Sequence, residues 1–403
     1  MSQELFRSML MGGFECSTHR LPTGRRLDIV HSTRHDELAE RDYRLLQQHG
    51  ISAVRDAVRW HLIEFTPGSY DFSSATPMFA AARATGMQVI WDLWHYGWPD
   101  DIDIFSAAFV ERFTAFARET VARLSEYEAA PLVCPINEIS FFSWAGAEAG
   151  FFNPFARHRG DEMKRQLVRA TVQAVTAMRE INPAVRCVQV DPIINVVPAS
   201  AGEDDQRNAE NYRTSQFEAW DMILGRVQPE LGGREDLIDV IGVNYYIHNQ
   251  FVWQGPVIVP SDPRYRHVST MLQEVHARYQ RPILVAETGI EDESRPAWFR
   301  YMCKEVLTAI EAGVPVEGVC LYPILNHPGW DDDRHCHNGM FDYADAAGHR
   351  AVYRPLADEV ARQHGNFAAV RTGARVASLI DLDTSALDWA AHVMQELTDD
   401  SRV

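Results

Sequence analysis

The chain has 403 residues, 46% hydrophobic and 23% charged, the balance of a globular protein with a large core and little disorder. Its 56 acidic and 38 basic side chains give a formal net charge of -18, which argues against nucleic-acid or anionic-membrane partners, since both demand clustered lysine and arginine. No apolar run approaches bilayer length, and Met1–Met11 holds too short an apolar stretch for a secretory signal, so a cytoplasmic protein is expected. Cys16, Cys134, Cys187, Cys303, Cys320 and Cys336 form no close pairs and read as reduced, partly buried thiols.

In chain order, β-rich runs alternate with helical patterns. A strand at Met9–Cys16 leads to a helix over Asp36–His49. A second strand, Ala53–Trp60, is followed by a turn at Pro67–Phe72 and a helix over Ala75–Thr85. The strand Gln88–His95 precedes the helix Phe109–Tyr127, whose Phe113, Phe116 and Val121 repeat at helical spacing and read as barrel packing. Next come the strand Leu132–Glu138, a long loop at Ile139–Gly160, the helix Lys164–Ile181 and the strand Arg186–Pro192. A second long loop, Val196–Tyr212, precedes the helix Gln216–Val227. The strands Val240–Tyr246, Ile283–Glu287 and Gly318–Ile324 then alternate with helices over Ser269–Tyr279 and Trp298–Ala312. Eight alternations close into a (β/α)8 TIM barrel more naturally than they fill an open sheet. No linker divides the chain, so one α/β barrel domain over 1–366 is expected. The Ala-rich segment 367–403 would be a helical extension packed on the barrel or a dimer contact, with Thr398–Val403 as a frayed tail. The sequence does not fix the oligomeric state and is compatible with a homo-oligomer.

Two of the apolar runs end in a glutamate: Ile136-Asn137-Glu138 and Val285-Ala286-Glu287. A barrel gathers its functional residues at the C-terminal ends of its strands, and Arg55, His95, Asn137, Glu138, Asn244, Tyr246, Glu287 and Trp330 all fall there. A pair of carboxylates on separate strand ends is what glycosidic-bond cleavage requires.

These residues resemble family-1 glycoside hydrolases, the β-glucosidase-like members of a larger clan of retaining barrel glycosidases, from about Gly12 to about Asp345. Ile136-Asn137-Glu138 is similar to the family's T-x-N-E-P. Trp144-Ala145-Gly146, Gly150 and Phe152-Asn153-Pro154 resemble its downstream G-x-x-x-G-x-F-x-P. Asp239-Val240-Ile241-Gly242-Val243-Asn244-Tyr245-Tyr246 is close to D-F-I-G-x-N-Y-Y, and Val285-Ala286-Glu287-Thr288-Gly289 to I-T-E-N-G. His95-Tyr96-Gly97-Trp98-Pro99 follows H-W-D-L-P, and Arg55 with Trp60 follows Y-R-F-S-I-S-W.

The resemblance implies Glu287 as nucleophile and Glu138 as acid and base, about 5 to 5.5 Å apart as retaining enzymes hold them. It implies Arg55 and Tyr246 as supports that keep Glu287 ionised, with Asn244 beside them, and Asn137 as a contact to the sugar 2-hydroxyl. His95 and Trp330 would read neighbouring hydroxyls, with Tyr96, Tyr322 and His19 as further substrate contacts. No metal or cofactor is implied, and the partner is a small carbohydrate or glycoside. The chain departs from the pattern at His19, where the family has glutamine, and at Tyr96 and Tyr322, where it has tryptophan. Pro328-Gly329-Trp330 stands in place of F-E-W, so the ordinary glucose contacts are incomplete. Asp331-Asp332-Asp333 would repel a phosphate, which disfavours 6-phosphosugars.

Three other readings stand beside this one. The stretch Asp331–His337 has the carboxylates and imidazoles of a metal site, but barrel metallohydrolases collect ligands from several strand ends. An endo-acting glycanase of the same clan is suggested by Pro67-Gly68-Ser69-Tyr70-Asp71-Phe72, and transglycosylation uses the same mechanism. A non-catalytic sugar-binding barrel is the non-enzyme alternative, against which stand Glu138, Glu287, Arg55, Asn137 and Tyr246 together.

Overall fold

The computed structural model describes residues 5–380 and Leu387. Eight parallel strands close into a barrel: β1 Leu10–Gly13, β2 Ala53–Ala57, β3 Gln88–Asp92, β4 Leu132–Cys134, β5 Arg186–Pro192, β6 Val240–Asn244, β7 Ile283–Thr288 and β8 Val316–Leu321. Each strand pairs with its sequence neighbours in the barrel, and β8 pairs with β1 to close it. The crossovers carry α1 His35–Gln48, α2 Thr76–Thr85, α3 Ala107–Leu124, α4 Gly160–Ile181, α5 Glu218–Ile223, α6 Val268–Tyr279 and α7 Arg295–Glu311. A last helix, α8, runs Arg354–Arg371 and packs on α7. Most of the extension expected over 367–403 therefore lies outside the described residues, as does Thr398–Val403.

The two-residue period of a strand sorts these side chains. Met11, Ala53, Ile90, Leu132, Val188, Val240, Leu284 and Cys320 belong to the inner cluster together with Phe6, and Leu5 packs against it. Two residues further along β2 and β3 come Arg55 and Asp92, and four residues further along β6 comes Asn244, so the same alternation that fills the core below delivers polar groups to the C-terminal rim. Gly13 is required by close approach: a Cβ there would meet Cδ2 of Tyr322 at 2.2 Å. The outer layer is larger. On α3, Phe109, Phe113, Phe116 and Val121 are all buried, and Trp60 stacks on Phe116 at 5.3 Å between ring centroids. Each such phenylalanine contributes about 1.5–3 kcal/mol by burial. Helix starts follow local chemistry, with proline in the first turn of α2, α7 and α8 and left-handed Gly86 ending α2.

Two segments expected as loops contain helix. Ile139–Phe142 continues into a wide π-type turn over Ser143–Glu148, and Glu203–Thr214 forms a helix of which only Ala209 is buried. Six of the eight expected strands run past the observed ones at their C-terminal ends because the ladder stops where the chain turns toward the rim. Leu132–Glu138 thus shortens to Leu132–Cys134, and the backbone reverses hand at Glu138, φ 47°.

Candidate active site

Arg55 is the pivot of the rim. It is 1% exposed, and its guanidinium donates from Nη1 to Oε1 of Glu287 at 2.8 Å, from Nη2 to Oδ2 of Asp92 at 2.6 Å and from Nη2 to Oδ1 of Asn137 at 3.0 Å. One cation from β2 thereby joins the ends of β3, β4 and β7. Burial opposes its charge, but Asp92 and Glu287 hold its pKa well above the ordinary value. The Tyr322 ring lies 5.4 Å from the same guanidinium. On the opposite side of Glu287, the Tyr246 hydroxyl donates to Oε2 at 2.8 Å. Both carboxylate oxygens of Glu287 are thus held by donors, an arrangement that fixes the group in direction.

Glu138 sits in different surroundings. Asn244 Nδ2 donates to Oε1 at 2.8 Å and the Tyr96 hydroxyl to Oε2 at 2.6 Å, but no cation pairs with it among the described residues. Burial first, then the charge of Glu287, pushes its pKa up to about 7, against the pull of the Tyr96 and Asn244 bonds. Glu138 and Tyr96 both take left-handed backbone, φ 47° and 72°. For non-glycine residues this costs on the order of 1–3 kcal/mol each, a cost that concentrates at functional sites.

Asn137 and His95 tie the two halves together. Asn137 Nδ2 donates to the Tyr96 hydroxyl at 3.1 Å and lies 3.3 Å from His95 Nε2, while His95 Nδ1 is 3.1 Å from Asp92. Burial works against a charged His95, yet the bond to Asp92 and the charge of Glu15 raise its pKa above the ordinary value.

His95, Tyr96, Glu138, Tyr246, Glu287 and Trp330 line one cavity of about 770 Å³. Its mouth is walled by Phe141, Trp144, Ile194, Tyr212 and Phe251, with Trp144 42% exposed. Asn137 and Asn244 are fully buried and reach the cavity through the residues they bond. Tyr322 instead lines a neighbouring chamber. His19 is placed away from both: its ring packs on Phe152 and Trp330 at 4.5 and 4.9 Å, and neither ring nitrogen has a partner. As a buried imidazole among aromatics, His19 is part of the wall behind Trp330, and burial drives its pKa down to about 3.

Several residues here escaped the sequence reading. Glu15, Asp92 and Asp191 carry the same signal that singled out Glu138 and Glu287, an acid closing an apolar run. Asp92 anchors Arg55 and His95. Asp191 accepts from the backbone N–H of Ser140 at 3.0 Å, and burial followed by the charge of Glu138 holds its pKa well above the carboxylate range. Glu15 is on the cavity wall.

Asp333, Arg334 and His335 of the stretch Asp331–His337 find partners within the loop and its neighbours. Arg25 pairs with Asp333 at 2.8 Å, Arg334 with Glu291 at 2.5 Å, and His335 with Asp342 at 3.1 Å. Among the described residues, the one group of three potential ligands within metal-binding reach is Cys16, Asp92 and His95. Its carboxylate is already shared by Arg55 and His95. No described helix is long and apolar enough to cross a membrane.

No protein-family model matches the chain, and no curated protein matches it. Solved structures do. The chain is similar to a family 1 β-glucosidase from Thermotoga maritima, with a TM-score of 0.72 and 15% identity over 90% of this chain and 98% of that one. It is similar to virulence factor SghA from Agrobacterium tumefaciens, with a TM-score of 0.73 and 17% identity over 88% and 97%. A complex of SghA with its substrate analog salicin gives 0.73 and 18% over 88% and 95%. At these identities the likeness is one of fold.

Proposed function

We propose that this chain is a divergent family-1 glycoside hydrolase, a retaining β-glycosidase acting at the non-reducing end of a small glycoside. The observation that carries the reading is the contrast between two buried carboxylates in one cavity. Glu287 is held by Arg55 and Tyr246, whereas Glu138 has no paired cation among the described residues and is pushed up to about 7. One is suited to attack as an anion, the other to hold a proton near neutral pH.

In the first step Glu287 forms a bond to the anomeric carbon as the glycosidic C–O bond breaks. The departing electron pair goes to the leaving oxygen, which takes the proton of Glu138. Glu138, now a carboxylate, removes a proton from water as the water oxygen attacks the anomeric carbon and the ester to Glu287 breaks. The Tyr96 bond to Glu138 stabilises its anionic turn in the cycle. The aromatic mouth suits an apolar, planar aglycone. The buried thiols suit a reducing compartment, consistent with a cytoplasmic place of action.

The test is incubation with 2-fluoro-2-deoxy glycosides bearing good leaving groups, in gluco, galacto, manno, fuco and xylo configuration, followed by peptide mass spectrometry. The expected result is a glycosyl adduct on the peptide containing Glu287. Absence of an adduct from every sugar, with the protein shown to be folded, would move the reading to a non-catalytic sugar-binding barrel.

A further inference from the structure

The two carboxylates of the cavity differ in how their backbones are held. Glu287 belongs to β7 and pairs with Asn244 of β6, so the sheet itself fixes its direction. Glu138 lies beyond the end of β4 at Cys134, where the chain has left the ladder. The helical turn Ile139–Phe142 that follows is too short to be stable on its own. The aim of the Glu138 side chain therefore depends on contacts from elsewhere.

The end of β5 supplies them at three alternate points. Gln189 Nε2 donates to the carbonyl of Ile136 at 2.9 Å, and the backbone N–H of Glu138 donates to the carbonyl of Val190 at 3.1 Å. Asp191 then accepts twice from Ser140, through Oδ1 from the backbone N–H at 3.0 Å and through Oδ2 from the hydroxyl at 3.1 Å. Consecutive residues of one strand thus grip residues 136, 138 and 140 of its neighbour. The first two grips lie before and at Glu138, and Asp191 provides the anchor beyond it. With the chain held on both sides, the left-handed turn at Glu138 has no room to relax to an ordinary backbone conformation.

Asp191 is fully buried and has no ion pair among the described residues. Burial, followed by the charge of Glu138, holds its pKa well above the carboxylate range, so the group is accommodated without a counter-ion. Glu138, Ser140 and Pro192 line the catalytic cavity, whereas Asp191 does not. It is out of reach of a substrate in that cavity and can act on the reaction only through the segment it holds. A branched side chain with two oxygens on one carbon spans the N–H and the hydroxyl of a single residue, which an apolar side chain of similar size would leave unmet.

We propose that Asp191 is a positioning residue for proton transfer: by holding Ser140 it fixes the turn that aims the Glu138 carboxyl at the leaving oxygen. The proposal rests on the glycosidase reading and extends it to a residue that never meets the substrate. Its effect is selective. A leaving group that needs a proton depends on the aim of Glu138, whereas one that departs as a stable anion does not.

The experiment uses the full chain and two glycosides of a sugar that the wild type accepts, a phenyl glycoside, which needs the proton, and a 2,4-dinitrophenyl glycoside, which does not. Asp191→Ala should lower kcat/KM for the phenyl glycoside on the order of a hundredfold, as a misplacement of about 1 Å does, and for the dinitrophenyl glycoside less than about threefold. Asp191→Asn keeps an acceptor for the Ser140 N–H and should return the phenyl glycoside to within about tenfold of wild type. Azide gives a second readout. It attacks the anomeric carbon as the ester to Glu287 breaks and needs no base, so it should raise kcat of Asp191→Ala on the dinitrophenyl glycoside about tenfold, with the glycosyl azide as product, and leave wild type unchanged. Equal losses on the two glycosides, no loss on either, or no acceleration by azide overturns the proposal and leaves the glycosidase reading standing. Should Asp191→Ala not fold by circular dichroism, Asp191→Val, a residue suited to a buried strand, takes its place in the same comparison. Failure of both to fold makes Asp191 a structural anchor and overturns the proposal as well. Inactivity of the wild type on every glycoside sinks the glycosidase reading itself, and the proposal with it.

Discussion

Tyr96 and Glu138 are bound to each other by a 2.6 Å hydrogen bond in which both partners have left-handed backbone. The phenol donates to the carboxylate and receives the amide hydrogen of Asn137, so its orientation is fixed from behind. A tyrosine in this position opposes the raised pKa of the acid, since its bond favours the charged form.

The pH profile follows with a definite sign. Because Glu138 is pushed up to about 7, the protonated acid needed for the first step is lost as pH rises through that value, and kcat/KM falls on the alkaline side there. Tyr96→Phe removes a bond that lowers the pKa, so the alkaline limb should move to higher pH. A limb that stays in place, or moves down, would remove Tyr96 from any role in tuning Glu138.

Arg55 holds Asp92 and Glu287 at once. Arg55→Ala leaves the buried Glu287 without its cation and Asp92 with His95 alone, and should cost about 3–5 kcal/mol of stability. Arg55→Lys retains charge but cannot reproduce the fork, so a folded variant is expected with kcat reduced on the order of a hundredfold and KM changed far less. Steady-state kinetics on both, with denaturant titrations, separates the two effects.

Trp144 faces the mouth and is 42% exposed. Trp144→Ala should raise KM for aryl glycosides by about tenfold while leaving kcat nearly unchanged, because the lost contact is made equally in ground and transition states. Equal KM values for wild type and variant would place the aglycone elsewhere.

Away from the cavity, His35 lies between Asp42 and Asp56, 2.8 Å from each, and stacks on Phe14. Burial alone would neutralise it, but Asp56 and Asp42 raise its pKa to about 9. The unfolded pKa is about 6.5. Stability from this group is therefore full below about 6.5 and is lost as pH rises toward and through about 9, a loss of about 3 kcal/mol. Denaturant midpoints at the two ends of that window should show the loss in wild type, and His35→Gln should flatten it. A wild-type midpoint constant from pH 6 to pH 9.5 would mean that the ring is neutral.

The barrel was legible because each inner strand is an apolar run of the right length between helical patterns, and Arg186–Pro192 matches the observed strand at both ends. Strand ends were less legible, since residues such as Asn137 and Glu138 follow the apolar run without joining the ladder. The helix Glu203–Thr214 was invisible for a physical reason: with Ala209 alone buried, it has no apolar stripe to read. Within the site, Glu138 and Glu287 stood out, but Glu15 did not, although Phe14-Glu15 ends an apolar run in the same way. Nothing in one strand reveals that its acid will reach the cavity wall once the others assemble. The placement of His19 behind Trp330 was hidden for the converse reason, because a short excursion between β1 and α1 can turn a side chain toward or away from a cavity.

All six cysteines are free and buried, and burial raises the pKa of every one of their thiols. The folded chain thus conceals its own chemical reporters. A thiol reagent reacts only when a segment opens, and the positions differ in what they witness: Cys134 and Cys320 see the barrel itself part, Cys303 the undocking of α7, and Cys336 the lifting of the hairpin over 327–336 beside the neighbouring chamber. The order in which the six are labelled would read out, without any introduced probe, which part of the molecule lets go first.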